Sequence, residues 1–362
     1  MNQDSNGKPA GSLPARLAKA TIFGLGLFAA GYGIYKTGVF GDLYAMIGGQ
    51  VTQAVTAPPY SRAEMYADRK AYAKDPTGAA PPRMPVGADG YYIPPAEADL
   101  PKGPYGDAVK RGRDIFTQTG VMVKANVGNA MACVNCHIDA GRREHSAPMW
   151  GAYGAYPAYR SKTGSISTLE DRIQGCFTYS MNAQDSPSGH APEAGSDVYR
   201  DLITYMAWLA DGAPAGEKLP GALYPKVPKP KDGYDLTRGK AVYEQNCALC
   251  HGDKGQGTRN AQDGVTFPPL WGPLSYNWGA GMARIDTAAG FVKANMPMGK
   301  PYSLTDQQAW DVAAYLNSHE RPKDPRQTGT VAEAARDFHA GEESYYGKEL
   351  NGWLLGTGVS VR

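Results

Sequence analysis

The chain has 362 residues, which is long enough for two domains and additional segments. Its formal net charge is only +2, which argues against a nucleic-acid-binding protein, because such proteins carry a strongly basic surface. The 45 glycines and 28 prolines indicate short helices joined by much irregular structure.

Residues 1–50 predict a polar tail followed by a membrane anchor. Lys8, Arg16 and Lys19 precede an apolar run over residues 20–35. Such a cationic flank keeps the N-terminus in the cytoplasm and directs export of the residues C-terminal to the run. The run is intermediate in length between a signal-peptide core and a spanning helix, and no clear Ala-x-Ala cleavage site lies close after it. We therefore predict a transmembrane helix rather than a cleaved signal peptide, with the rest of the chain on the periplasmic side of a bacterial inner membrane.

The rest of the chain divides into a tether, two domains, a linker and a tail. Residues 51–104 are rich in Pro, Ala and Tyr and predict an extended tether that wraps onto the first domain. Residues 105–212 and 234–322 predict two mainly helical domains. The Pro- and Lys-rich residues 213–233 predict a linker between them, and residues 323–362 predict an irregular tail.

The two domains repeat one sequence plan. Gly112-Arg-Asp-Ile-Phe116 corresponds to Gly239-Lys-Ala-Val-Tyr243, and Asp201-Leu-Ile-Thr-Tyr205 corresponds to Asp311-Val-Ala-Ala-Tyr315. A repeat at this scale indicates a duplicated domain. The predicted helices of the two domains cover residues 106–118, 196–210, 236–246, 286–295 and 305–319.

Each domain contains one Cys-x-x-Cys-His motif, which is the attachment signature of c-type haem. The thiols form thioether bonds to the porphyrin, and the histidine becomes the proximal iron ligand. A zinc site would need further ligands at suitable spacing, and a redox dithiol would need a βαβ setting. We therefore predict a mainly α protein with two tandem cytochrome c domains and two covalently bound haem c. The motif residues are Cys133, Cys136 and His137, and Cys247, Cys250 and His251.

Each iron needs a sixth ligand. In the second domain, Met296 and Met298 flank a proline, and a thioether ligand raises the potential in a way that suits electron transfer. We prefer Met296. In the first domain the candidates are Met149, Met181, His145, His190 and Cys176.

The four motif cysteines leave Cys176 as the unpaired thiol. It lies after a helix start at Thr168, and continuous helical spacing would place Arg172, Cys176 and Ser180 on one face. A thiolate ligand would lower the iron potential, and Arg172 would favour the thiolate. A buried inert thiol is the ordinary alternative. The residues alone favour Cys176 as a ligand but leave the other candidates open.

Residues 105–325 resemble the dihaem c-type thiosulfate dehydrogenases, also called tetrathionate-forming cytochromes. Three motifs carry the resemblance: Thr168-Leu-Glu-Asp-Arg-Ile-Gln-Gly-Cys-Phe177, Ala294-Asn-Met-Pro-Met-Gly299 and Ala314-Tyr-Leu-Asn-Ser-His-Glu-Arg-Pro322. The resemblance implies oxidation of two thiosulfate ions to tetrathionate, with electrons passing through haem 1 to haem 2 and then to a cytochrome or respiratory oxidase.

The resemblance also implies roles for particular residues. Cys176 would be both the axial ligand of the first haem and the catalytic sulfur, and Arg172 and Ser180 would line the substrate pocket. Met296 would ligate the second haem. Some members place a lysine before this methionine, and Asn295 here argues against ligand switching.

A further basic residue precedes the cysteine in the family, and Arg160 and Lys162 are the candidates for it. Two other functions remain open from the sequence. One is a membrane-anchored dihaem electron-transfer subunit of a respiratory complex, in which Cys176 is structural. The other is tetrathionate reduction, because haem potentials depend on burial and hydrogen bonding that a sequence does not reveal.

Overall fold

The computed structural model describes residues 85–259, 266–341, 343–350 and 352–360. The predicted transmembrane helix and most of the predicted tether lie outside these residues. Within the described ranges, no helix is both long and apolar enough to cross a membrane.

The first domain is mainly helical, as predicted, and its helices surround the first Cys-x-x-Cys-His motif. A single π-helical turn, Cys176–Ser180, continues its fifth helix. The elements are α1 (Gly103–Thr117), α2 (Thr119–Met122), α3 (Ile138–Gly141), α4 (Met149–Tyr153), the antiparallel strands β1 (Ala158–Arg160) and β2 (Ser165–Ser167), α5 (Leu169–Gly175) and α6 (Asp197–Leu209).

The second domain repeats this arrangement on a smaller scale. The predicted helices of both domains are confirmed, with shifts of a few residues at their ends, and they correspond to α1, α6, α7, α9 and α10. The elements are α7 (Leu236–Asn246), α8 (Ala248–His251), the short strands β3 (Thr258–Arg259) and β4 (Thr266–Phe267), α9 (Ile285–Asn295) and α10 (Asp306–Asn317).

The repeated glycines mark the points where the first and last helices of each domain cross. A Cβ atom on Gly112 would lie 2.0 Å from the carbonyl oxygen of Asp201. A Cβ atom on Gly239 would lie 2.1 Å from the carbonyl oxygen of Asp311. Only glycine allows the helix backbones to approach this closely. The repeated glycines in the sequence therefore correspond to a helix crossing that both domains share.

The repeated aspartates fix the same crossings. Asp201 accepts hydrogen bonds from Arg111 at 2.7 and 2.9 Å, and Asp311 accepts them from Arg238 at 2.8 and 3.0 Å. Both carboxylates are almost fully buried, and a buried charge without a partner would be costly. These residues therefore have a structural role.

The helix predicted to start at Thr168 is present, but it does not continue as an α-helix through Ser180. The Thr168 hydroxyl accepts a hydrogen bond from the Asp171 amide at 3.1 Å, and the Asp171 carboxylate accepts one from the Thr168 amide at 2.7 Å. After Gly175 the amide of Met181 donates to the Cys176 carbonyl at 3.0 Å, which is the five-residue spacing of a π-helix. The prediction of one continuous α-helical face is therefore wrong beyond Cys176. Single π-turns of this kind occur frequently at functional sites.

The C-terminal segment, 323–360, is not irregular throughout, which corrects the sequence prediction. It contains α11 (Val331–Phe338) and the antiparallel strands β5 (Glu349–Leu350) and β6 (Trp353–Leu354). The Glu343 carbonyl accepts a hydrogen bond from the Ile285 amide at 2.9 Å, which joins this segment to α9. The segment is thus an ordered part of the second domain's surface.

One large hydrophobic cluster joins the two domains and the C-terminal segment. It includes Trp150 and Tyr205 from the first domain, Trp278 and Trp310 from the second, and Tyr346 from the C-terminal segment. The two domains therefore share a core, and residues of both can contribute to one site.

Candidate active site

Both Cys-x-x-Cys-His motifs have the donor set and orientation that a c-type haem requires. All four motif thiols are free of disulfides. Nδ1 of His137 lies 2.8 Å from the Ala147 carbonyl oxygen, and Nδ1 of His251 lies 2.8 Å from the Pro268 carbonyl oxygen. Since a carbonyl can only accept, Nδ1 carries the proton in each ring, and Nε2 is left with a lone pair that could ligate iron. The residues present therefore fit two covalently attached haems.

Cys176 lies beside the first of these motifs. Nη1 of Arg172 donates a hydrogen bond to Cys176 Sγ at 2.9 Å, and the thiol also interacts with the His137 imidazole. Burial alone would raise the pKa of Cys176, but Arg172 and His137 outweigh it and lower the pKa to about 6. The proximal histidine and this thiol are thus held close together, with an arginine next to the sulfur.

Two of the competing first-domain candidates have other contacts. His145 and Met149 flank Ala147, whose carbonyl is bonded to Nδ1 of His137. The Tyr91 hydroxyl lies 2.9 Å from Nε2 of His145, and Met149 is buried in the large hydrophobic cluster.

The other two candidates for the sixth ligand of the first haem are Met181 and His190, which lie in different environments. Met181 is buried in the large hydrophobic cluster just after the π-turn. His190 lies at the surface, where its Nδ1 is 3.5 Å from the Glu193 carboxylate. Of the five candidates, Cys176 is the one whose side chain interacts with His137 within the part of the chain that the structure describes.

The two methionines of the second domain differ in their surroundings. Met296 packs against the smaller hydrophobic cluster, together with Cys247 and Tyr315. Met298 is 57% exposed to solvent. Met296 therefore packs against the same cluster as Cys247 of the second haem motif, whereas Met298 is largely in solvent.

A cleft of about 510 Å³ is lined in part by Arg172, the residue that donates a hydrogen bond to Cys176. It brings together all the basic and hydroxyl residues that the sequence indicated, namely Arg160, Lys162, Arg172 and Ser180. Partial burial lowers the pKa of Arg160, and the neighbouring Arg172 lowers it further. Three cations around one cleft are suited to binding a multiply charged anion.

Lys162 is an exposed residue whose ammonium is nevertheless held by neighbouring groups. The ammonium lies 3.6 Å from the centroid of the Tyr179 ring and donates a hydrogen bond to the carbonyl of Gly279. Enclosure of the ammonium, with a contribution from Arg326, lowers the pKa of Lys162. Residues of the π-turn, the second domain and the C-terminal segment thus meet at this lysine.

Tyr224 is a site residue that the sequence did not indicate, because it lies within the predicted linker. Its hydroxyl donates to the carbonyl of Cys136 at 3.0 Å, and its ring packs edge-on against Phe291 of α9 at 5.5 Å. Burial raises the pKa of Tyr224 well above its ordinary value. An aromatic residue in an otherwise Pro- and Lys-rich stretch was the available signal.

Comparisons with known proteins agree with this two-domain organisation. The family described as SoxA/TsdA cytochrome c domain matches residues 120–215, and the family described as cytochrome c matches residues 236–320. These ranges coincide with the two helical domains and include one haem motif each.

The chain is similar over most of its length to known enzymes. It is 50% identical to the thiosulfate dehydrogenase of Stutzerimonas stutzeri, covering 75% of this chain and 87% of that one. It is 47% identical to the thiosulfate dehydrogenase of Thiomonas intermedia, covering 76% and 87%. A solved structure of thiosulfate dehydrogenase (TsdBA) from Marichromatium purpuratum superposes with a TM-score of 0.72 at 51% identity, covering 74% of this chain and 58% of that one. This identity and coverage, together with the two haem c motifs, show that the chain belongs to the thiosulfate dehydrogenase family.

Proposed function

We propose that the protein oxidises two thiosulfate ions to tetrathionate on the periplasmic side of a bacterial inner membrane. The observation that carries this proposal is the Arg172–Cys176 hydrogen bond of 2.9 Å beside a cationic cleft and the first haem motif. Covalent haem attachment occurs outside the cytoplasm, which supports the periplasmic location. Anchorage in the membrane rests on the apolar run of residues 20–35 alone.

The cleft residues would bind and orient two mutually repelling dianions. Arg172 and Arg160 present planar guanidinium groups that suit oxyanions, and Lys162 adds a compact charge. Ser180, which also lines the cleft, offers a hydroxyl that can donate to a sulfonate oxygen. Holding both substrates next to one sulfur keeps the reacting atoms close together despite the repulsion between the two dianions.

Cys176 would carry the sulfur chemistry. Its thiolate joins the outer sulfur of one thiosulfate to give a cysteine S-thiosulfonate, and two electrons are released in this step. The outer sulfur of the second thiosulfate then attacks the adduct at the sulfur atom bonded to Cys176 Sγ. This attack forms tetrathionate and restores the Cys176 thiolate, as in thiol–disulfide exchange. The haems that the two Cys-x-x-Cys-His motifs would hold would supply one-electron acceptance for these electrons, and a partner cytochrome or a respiratory oxidase would receive them.

Cys176 and His137 would also be the residues that hold the iron of the first haem. The role of an electron-transfer subunit without sulfur chemistry is not favoured, because the relatives matched over most of the chain are thiosulfate dehydrogenases.

The direct test is anaerobic addition of thiosulfate to the oxidised dihaem protein. We expect the haem absorbance to change to that of the reduced form, with one tetrathionate formed for each pair of haems reduced. Sulfate, a dianion without the outer sulfur, serves as the control and should leave the haems oxidised. Full reduction by dithionite but not by thiosulfate would contradict the proposal. Oxidation of the reduced protein by tetrathionate would instead indicate that the reaction also runs in reverse.

We propose Met296 as the distal ligand of the second haem, because it packs against the same hydrophobic cluster as Cys247 whereas Met298 is exposed. Met296→Leu is expected to remove the methionine-to-iron absorbance of one haem and to lower its reduction potential, since thioether ligation raises it. Met298→Leu is the matched control and should change neither property. The opposite pattern in the two variants would exchange the assignments.

A further inference from the structure

The C-terminal segment contacts the substrate cleft through Tyr179. The guanidinium carbon of Arg326 lies 5.3 Å from the centroid of the Tyr179 ring, and the ammonium of Lys162 lies 3.6 Å from the same centroid. Tyr179 itself lines the cleft. One aromatic ring is therefore in contact with two cations that come from distant parts of the chain.

Arg326 is held in place by a buried carboxylate. Asp324 is fully buried and accepts hydrogen bonds from Arg326 at 2.6 and 3.1 Å and from Nε2 of His339 at 2.9 Å. Burial alone would raise the pKa of Asp324, but His339 and Arg326 lower it below its usual range. The His339 ring is stacked on Tyr346 at 3.9 Å. The Asp324–Arg326 pair is thus rigidly built into the C-terminal segment.

Gly279 is the point at which these groups meet. Its carbonyl accepts the hydrogen bond from the Lys162 ammonium. A Cβ atom at this position would lie 2.4 Å from Cδ1 of Tyr179 and 3.1 Å from Oδ1 of Asp324. The close approach of Tyr179, Asp324 and Lys162 therefore depends on having a glycine, which has no side chain, at position 279.

We propose that Arg326 and Asp324 are positioning residues of the substrate cleft, which hold Tyr179 and thereby place the Lys162 ammonium to bind the second thiosulfate ion. This inference rests on the proposed function, because it names thiosulfate as the anion. Lysine has a long flexible stem, so its charge is useful at a defined position only where the surroundings hold it. An ammonium over an aromatic face is held in this way.

The assignment to the second thiosulfate rests on the roles of the other cations. Arg172 is already bonded to Cys176, the sulfur that joins the first thiosulfate. The incoming ion must be held against the repulsion of the bound one, and Lys162 is a cation of the same cleft whose ammonium is not committed to the thiol. The C-terminal segment would thus be part of the enzyme's binding site.

The kinetic test is Arg326→Gln in the full-length dihaem protein. We expect the KM for thiosulfate to rise about tenfold while kcat changes less than about threefold, because substrate binding is weakened and the sulfur chemistry is retained. Arg326→Lys should restore part of the loss. Arg336→Gln is the matched control, since Arg336 lies on α11 of the same segment, pairs with Asp337 and has a side chain that is 71% exposed. Equal KM values for the Arg326→Gln and Arg336→Gln proteins would overturn the proposal.

A second measurement does not depend on turnover. Acetic anhydride acylates only the neutral amine, so limited acetylation over a range of pH, followed by peptide mass spectrometry, gives the accessibility of each lysine from the rate at the high-pH plateau, where the effect of Arg326 on the pKa of Lys162 no longer matters. At this plateau Lys162 should be acetylated several-fold faster in Arg326→Gln and in Gly279→Ala than in the wild type, with Lys240, whose side chain is 59% exposed, as the internal reference. Unchanged Lys162 labelling in both variants would show that Arg326 does not position the lysine.

The two measurements separate this inference from the proposed function. A wild-type protein that does not oxidise thiosulfate overturns the proposed function and the identity of the anion, whereas the labelling experiment still decides whether Arg326 and Tyr179 hold Lys162. Gly279→Ala keeps the test decisive if Arg326→Gln does not fold, because it displaces Tyr179 without removing a buried ion pair.

Discussion

Replacing Cys176 by alanine is expected to lower the rate of tetrathionate formation by ~10³-fold or more, as removal of a catalytic nucleophile generally does. The substitution removes the sulfur that would join the first thiosulfate, and the cationic cleft alone cannot replace a covalent intermediate. The same change should abolish the thiolate signature of the first haem in electron paramagnetic resonance. The second haem, attached more than 70 positions further along at Cys247, should be spectroscopically unchanged.

Thr204→Ala provides the control for this substitution. Thr204 lies on α6 outside the lining of the cleft, and its hydroxyl donates to the carbonyl of Arg200 at 2.7 Å. The control should retain both activity and the thiolate signal. If the Cys176→Ala protein forms tetrathionate at the wild-type rate, the covalent mechanism is wrong. If activity is lost while the thiolate signal persists, Cys176 is not the ligand of the first haem.

The core of the candidate site could be predicted from the sequence because its determinants are local. A capping residue at Thr168 and a four-residue separation were sufficient to pair Arg172 with Cys176, and the structure places them 2.9 Å apart. The haem motifs are also local, since five consecutive residues supply both thiols and the proximal histidine. Local signals failed at the π-turn, because i,i+4 and i,i+5 hydrogen bonding use similar side chains and packing decides between them.

The remainder of the cleft depends on contacts between distant segments. The hydrogen bond from Lys162 to Gly279 joins residues 117 positions apart, and Arg326 reaches Tyr179 from the C-terminal segment. No periodicity in the sequence indicates such contacts. The helix in that segment did have a readable signal, since Thr330 and Glu333 form a capping box. Its presence was therefore predictable, whereas its place beside the cleft was not.

The linker also makes contacts that the sequence did not predict. Its Pro- and Lys-rich composition indicates an irregular connection between helical domains. Composition does not show that Tyr224 is bonded to the first haem motif at Cys136 and packed against Phe291 of α9, the helix that leads to Met296. The linker therefore contacts both the first haem motif and α9 through one side chain.

Replacing Arg172 by glutamine is expected to reduce kcat/KM for thiosulfate by about 10²–10³-fold, which corresponds to about 2.7–4 kcal/mol. The guanidinium does two things at once, since it donates to Cys176 Sγ and lines the cleft that would bind the dianion. Coulombic attraction to Cys176 is also the main reason why the pKa of Arg172 is raised. Loss of the charge therefore affects both the reacting sulfur and the substrate.

Arg172→Lys separates these two contributions. It keeps a positive charge near the sulfur but lacks the planar fork that matches an oxyanion, so we expect activity between that of the wild type and of the glutamine variant. Arg200→Gln, at an exposed position on α6, is the control and should behave as the wild type. A glutamine variant with normal kcat/KM would show that the Arg172–Cys176 bond is structural. Equal losses in the lysine and glutamine variants would show instead that a positive charge alone is not sufficient at position 172. The planar geometry of the guanidinium would then be what makes this arginine necessary.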